Sequence, residues 1–143
     1  MASALAIRAK ASVGYPAAWL EEWRSPLTIR AEYLAATPSL VALSGDTLVG
    51  ICVLEARGAE GSLEHLWVDP EFQRHGIGGA LMQRALALAA EAGLRRVEVD
   101  SDPSALAFYQ RLGARPCGTR PAPMPGAPER ELPVLEFVLD ERA

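Results

Sequence analysis

Between Leu66 and Leu81 the chain reads Leu-Trp-Val-Asp-Pro-Glu-Phe-Gln-Arg-His-Gly-Ile-Gly-Gly-Ala-Leu. Physically this is the end of an apolar strand, a turn stopped by Pro70, and a glycine-rich loop running into an amphipathic helix. Such a junction is an anion site. The first amides of a helix have no internal partner, the helix dipole adds partial positive charge, and glycines let a ligand approach the backbone. Two common nucleotide readings fail. Gly76-x-Gly78 would need its third glycine at Leu81, and no acidic residue follows in the context a dinucleotide fingerprint requires. No Gly-x-x-x-x-Gly-Lys-Ser/Thr run occurs either.

Elements on both sides must position this loop. Ser39 to Ser44, Gly45-Asp46 and Thr47 to Glu55 read as a β-hairpin, Gly58 and Gly61 bracket another turn, and Ser62 to Val68 is the next strand. Downstream, Leu81, Met82, Ala85, Leu86, Leu88 and Ala89 share one helix face, and Gly93 ends the helix. Leu94 to Asp100 is again a strand, so strand, helix and strand predict a right-handed parallel crossover at the centre of the sheet. Asp102-Pro103 opens a helix carrying Phe108, Tyr109 and Leu112, closed by Gly113. Strands near Ala114 to Thr119 and Leu132 to Leu139 complete the sheet.

The segments before and between these are less regular. Residues 4 to 9 read as a short first strand. Ala17, Trp19, Leu20 and Trp23 recur at helical spacing after Pro16, and Ile29 to Ala36 is a second short helix carrying Tyr33. Trp19, Trp23 and Tyr33 suit either core packing or the wall of a substrate pocket. The proline-rich run from Arg120 to Glu129 predicts an irregular loop, either solvated or covering a site.

Composition narrows the class. The 143 residues are 50% hydrophobic and 22% charged, the profile of one ordinary globular domain spanning the chain. A net charge of -4 argues against a nucleic-acid partner. Cys52 and Cys117 show no metal or redox spacing and read as buried free thiols, so no metal site is expected. Without a membrane span or a signal-peptide pattern, no membrane partner is expected and the expected location is the cytoplasm.

Gln73-x-x-Gly76-x-Gly78, with a strand before it and an alanine- and leucine-rich helix after it, resembles motif A of the Gcn5-related N-acetyltransferases. Asp102-x-x-Ala105-x-x-Phe108-Tyr109-x-x-Leu112-Gly113-Ala114 is similar to that family's motif B, and Arg130 to Glu136 looks like its last strand. The similar segments lie between residues 39 and 139. Two departures stand out: Asp102 replaces an asparagine, and Ala114 replaces an aromatic residue. Aspartate caps a helix as well as asparagine but offers no side-chain amide to a cofactor.

The resemblance implies a single α/β domain: a mixed, mostly antiparallel sheet of six or seven strands with a central parallel pair, flanked by about four helices. It implies acetyl-CoA as cofactor. The backbone of Leu66, Trp67 and Val68 would pair with pantetheine, and the Val68 amide would polarise the thioester carbonyl. The motif around Gln73 would form the pyrophosphate loop, with amides of Arg74, His75, Gly76, Ile77, Gly78 and Gly79 as donors and Asp102 nearby in the family scheme. Tyr109 would protonate the leaving thiolate, which suits a phenol titrating near ~10 against a thiol near ~8.5. Glu64, four residues before Val68, is the candidate base, with a water chain as its rival. The acceptor would be set by Trp19, Trp23, Tyr33 and the proline-rich loop.

The expected reaction is transfer of acetyl to a primary amine by direct attack in a ternary complex. The acceptor is either a small-molecule amine or a peptide amine, and a homodimer is compatible with this scheme. Two rivals are an acyl-CoA-binding regulator without turnover and a protein lysine or N-terminal acetyltransferase.

Overall fold

The computed structural model describes residues 2–139. They form α1 (Ala2–Ala11), α2 (Ala17–Trp23), α3 (Ala31–Ala36), β1 (Ser39–Ser44), β2 (Thr47–Arg57), β3 (Glu60–Val68), α4 (Ile77–Glu91), β4 (Arg96–Asp100), α5 (Leu106–Arg111), β5 (Arg115–Pro121) and β6 (Glu131–Val138). The six strands lie in the order β1-β2-β3-β4-β6-β5. β3 and β4 are parallel, while β1–β2, β4–β6 and β5–β6 are antiparallel. The expected α/β class and central parallel pair are therefore present, with five helices where about four were expected.

The extra helix is α1, which occupies the place read as a first strand. Alanine is the best helix former, and Ala2, Leu5, Ala6 and Ala9 are buried at spacings of three and four, a helical face and not an alternating one. The chain divides into two compact units, one holding residues up to Leu54 with His65–Ala85, the other Glu55–Glu64 with residues from Leu86 onward.

In the first unit α1 lies on β2. Leu5 and Ala6 are fully buried with Ile51 and Val53, and Trp23, Tyr33, Leu34, Leu48 and Trp67 pack around this cluster. Ser3 fastens the other side: its hydroxyl accepts from the Ile29 amide at 2.7 Å and donates to the Ile29 carbonyl at 3.2 Å. Leu81, Met82 and Ala85 of α4 are buried as the periodicity predicts. Farther along α4, in the second unit, Leu88, assigned to the same face, is 38% exposed, because it lies at the margin of the apolar stripe.

In the second unit β4 alternates. Val97 and Val99 are buried, while Arg96 and Glu98 point to the opposite, half-exposed face. Glu98 stands directly across from Glu136 on β6, a repulsive pairing. Arg96 offsets it by contacting Glu98 at 2.9 Å, Glu60 at 3.2 Å and Glu136, and Arg120 contacts Glu98 at 2.7 Å and Asp100 at 2.5 Å. Both α4 and α5 end by a carbonyl accepting from five residues on, Ala89 from Leu94 and Tyr109 from Ala114.

Three further expectations change. Gly61 lies inside β3 and not at a turn; a Cβ there would stand 3.0 Å from Leu94 Cδ1 and 3.3 Å from Val97 Cγ2. The proline-rich run is ordered as a hairpin: Ala122 donates to Arg130, and Met124 and Ala127 exchange two backbone bonds around Pro125-Gly126. Proline then glycine at the centre of a turn is the type II preference. Cys52 is buried, but Cys117 is exposed, because it lies on β5, an edge strand exposed along its whole length.

Candidate active site

The site begins at the end of β3. His65 and Trp67 are two residues apart and share a face, and the Trp67 indole Nε1 donates to His65 Nδ1 at 3.0 Å. Tyr33 stands edge-on to the imidazole at 6.4 Å. An indole N–H only donates, so His65 Nδ1 holds a lone pair here, and that lone pair is already committed. Glu64 is exposed on the strand. Leu66 and Val68 are half-buried.

After Val68 the backbone leaves the strand through a capped turn. The Asp69 amide donates to the Val49 carbonyl at 2.8 Å, and Asp69 Oδ1 accepts from the Glu71 amide at 3.0 Å, capping a short 3-10 turn over Pro70–Phe72. Arg8 reaches Asp69 Oδ2 at 2.8 Å. The Glu71 amide and then the Arg8 guanidinium hold the Asp69 carboxyl below its ordinary range.

Gln73 closes the turn on itself, its side-chain amide donating to the Val68 carbonyl at 3.2 Å. Arg74 then takes φ of 68°, the one non-glycine residue with positive φ among the described residues, and Gly76 takes 77°. A side chain is costly in that region, which is why glycine suits position 76 and why Arg74 marks stored strain. His75 is exposed and stands edge-on to Phe72 at 6.4 Å. Helix α4 begins at Ile77, and the Ala80 amide donates to the Gly76 carbonyl at 3.0 Å. Amides of Ile77, Gly78 and Gly79 therefore belong to the first turn, which has no earlier helical carbonyl to meet. Nothing would meet a Cβ within 4 Å of Gly76, so the loop is open above it. Positive φ, open space and first-turn amides together fit a pyrophosphate group.

One positioning residue escaped sequence reasoning. At Gly50 on β2 a Cβ would lie 3.0 Å from Leu81 Cδ1, 3.1 Å from Ile77 Cγ2 and 3.3 Å from Ala42 Cβ. Glycine there lets the first turns of α4 sit against the strand. A lone glycine inside an apolar strand pattern was the available signal.

In the second unit Asp102 Oδ1 accepts from the Ser104 amide at 3.0 Å and its hydroxyl at 2.7 Å. The capped element is a 3-10 turn, Pro103–Ala105, which runs into α5 in place of the single helix expected. Tyr109 on α5 is 8% exposed, with its ring edge-on to Phe108 at 5.1 Å.

The acceptor candidates divide. All three are half-buried; Trp23 and Tyr33 pack on the apolar cluster of the first unit, whereas Trp19 meets the Tyr15 and Trp23 rings. A cleft lined by Glu21, Arg24, Ser25, Thr28 and Arg30 adjoins α2 and contains none of the loop residues. Among the described residues no group of three or more His, Cys, Asp or Glu side chains could hold a metal, and no helix is long and apolar enough to cross a membrane.

Comparison with known proteins bears on the family and the fold. The glucosamine 6-phosphate N-acetyltransferase of Trypanosoma brucei brucei is 35% identical over 57 residues, covering 40% of this chain and 39% of that protein. PaiA N-acetyltransferase of Thermoplasma acidophilum, solved in complex with coenzyme A, has a TM-score of 0.76 at 18% identity, covering 95% of this chain and 89% of that one. IAA acetyltransferase from Bacillus cereus has a TM-score of 0.63 at 26% identity, covering 76% and 81%. The family model "Acetyltransferase (GNAT) family" matches residues 5–114. With strand, strained loop and helix inside that match, the chain belongs to the GNAT family of acetyltransferases.

Proposed function

We propose that the chain transfers acetyl from acetyl-CoA to a primary amine by direct attack in a ternary complex, as one N-acetyltransferase domain. The observation that carries this reading is the loop from Gln73 to Gly79, with positive φ at Arg74 and Gly76 leading into the first-turn amides of α4. The family match crosses both compact units, which supports treating them as one domain.

Bound acetyl-CoA supplies an activated acyl carbon on a thiol leaving group. In this reading the loop amides and Arg74 hold the diphosphate, and the backbone of Leu66 to Val68 binds pantetheine as an added strand. The Val68 N–H donates to the carbonyl oxygen on which charge develops. Glu64 takes a proton from the incoming ammonium, which has no lone pair until it loses one. Tyr109 holds the proton that the departing sulfur receives. The new C–N bond replaces the C–S bond, and neither cysteine takes part.

Thermal unfolding with and without acetyl-CoA tests the reading. Cofactor at ~100 times its dissociation constant adds about 2.7 kcal/mol, on the order of 5 to 10 °C at this size. Absence of any shift at millimolar acetyl-CoA would overturn it. An amine panel with thiol release as readout then separates turnover from binding alone. Glucosamine 6-phosphate belongs in that panel because of the relative's name, beside diamines and lysine peptides.

A further inference from the structure

Helix α2 has no buried residue, yet it carries two tryptophans. Tyr15, Trp19 and Trp23 follow at intervals of one helical turn, and the structure brings the three rings together. Tyr15 stacks on Trp19, centroids 5.4 Å apart with 22° between planes. Trp23 stands edge-on to both, 4.9 Å from Tyr15 and 5.9 Å from Trp19. Near the end of α1, the Lys10 ammonium lies 4.1 Å from the Trp23 centroid and 5.2 Å from that of Tyr15. These two rings are inclined at 79°, so one cation meets two walls of an aromatic corner. That arrangement recognises alkylammonium groups, because the electron-rich ring faces replace part of the cation's hydration.

A clasp joining α1 to α2 would need only one ring and would profit from burying the others. Instead Tyr15 and Trp19 are half-buried beside Trp23, which alone of the three also packs on the apolar cluster of the first unit. Aromatic surface of this size, left partly in water and already holding an ammonium, is suited to an exchangeable cation.

We propose that Tyr15, Trp19 and Trp23 form an alkylammonium subsite of the acceptor site, and that Lys10 is its built-in occupant, displaced when a cationic acceptor arrives. The ligand class is an amine with a second positive charge: a diamine or polyamine, or the lysine side chain of a peptide. One ammonium stays charged in the corner while the other amine is acetylated. Naming the ligand as the acceptor rests on the acetyl-transfer reading above; the cation site itself does not.

The indole N–H resonances of Trp19, Trp23 and Trp67 report this directly. Titration with tetramethylammonium chloride, against sodium chloride at equal ionic strength, is expected to move Trp19 and Trp23 and to leave Trp67 as an internal control. Lys10→Met removes the competing ammonium and is expected to tighten binding severalfold. Trp19→Ala is expected to weaken it, and if that variant fails to fold, Lys10→Met alone decides. Putrescine, spermidine and a lysine-containing peptide then distinguish free amines from a peptide source. Resonances that respond no more to tetramethylammonium than to sodium, in both wild type and Lys10→Met, overturn the proposal. The acetyl-CoA thermal shift is read separately: ammonium-dependent shifts without a cofactor shift keep the cation site and remove its assignment to an acceptor.

Discussion

Arg8 Nη2 lies 2.8 Å from Asp69 Oδ2, so the first helix holds the turn from which the glycine loop departs, across 61 residues of sequence. The Asp69 carboxyl is held below its usual range by the Glu71 amide and by Arg8. A depressed folded pKa contributes stability above the unfolded value, near ~3.9, and that contribution is lost as pH falls through the folded value. Wild type and Asp69→Asn should therefore differ in melting temperature by a constant amount from pH 7 to about 5 and converge in acid. Melting curves recorded against pH check this, and a gap that persists into strong acid would remove the carboxylate from the account.

Gly50→Ala tests how α4 is held. The added methyl would stand 3.1 Å from Ile77 Cγ2 and 3.3 Å from Ala42 Cβ, and a β-branched side chain and a strand neighbour yield little. Overpacking of this kind costs about 1–3 kcal/mol. Ile77 opens the helix whose first amides are assigned to the diphosphate, so acetyl-CoA affinity should fall together with stability. Denaturant unfolding and cofactor titration measure the two. Lowered stability with wild-type affinity would show that the loop holds its shape without this contact.

Much of this architecture was legible locally. The β1–β2 hairpin, the glycine loop and α4 each announce themselves through residues within one element or turn, such as Gly45-Asp46, Gly76 and the spacing of Leu81, Met82 and Ala85. What was not legible depends on partners distant in sequence or on a competing local preference. The helix at α1 was hidden by a short apolar run whose alanines outweigh its strand-like look. Cys117 is exposed because β5 is an edge strand and is exposed throughout, and the tight packing over Gly50 exists only once α4 lies on β2. The proline-rich segment misled for another reason: Pro125-Gly126 is itself a turn signal inside a run that reads as irregular.

The two thiols should report their surroundings. Cys52 is 1% exposed, and burial pushes its thiol up to about 12. Cys117 is exposed at the shifted register, and desolvation, followed by the Glu136 and Glu98 carboxylates, also raises its thiol. The thiolate is the reactive form. Native protein at neutral pH is expected to take up one equivalent of iodoacetamide, slowly and at Cys117, with the rate climbing as pH rises. Cys52 reacts only after unfolding. Peptide mass mapping settles the location, and modification of Cys52 in folded protein would contradict the burial.

Tyr109 and Glu64 sit in opposite environments, and their variants should separate accordingly. Tyr109 is 8% exposed with its ring against Phe108, so Tyr109→Phe keeps the packing and removes only the hydroxyl. Turnover should fall about 100-fold, the low end of general-acid contributions, while the acetyl-CoA thermal shift persists. Glu64 is exposed, so Glu64→Gln should leave stability within ~0.5 kcal/mol and lower turnover by a similar factor if the carboxylate takes the amine's proton. The neighbouring His65 Nδ1 lone pair already accepts from the Trp67 indole. Steady-state kinetics on both variants decides the matter. An unchanged rate in Glu64→Gln would move deprotonation to a water chain, and an unchanged rate in Tyr109→Phe would leave the sulfur to take its proton from solvent.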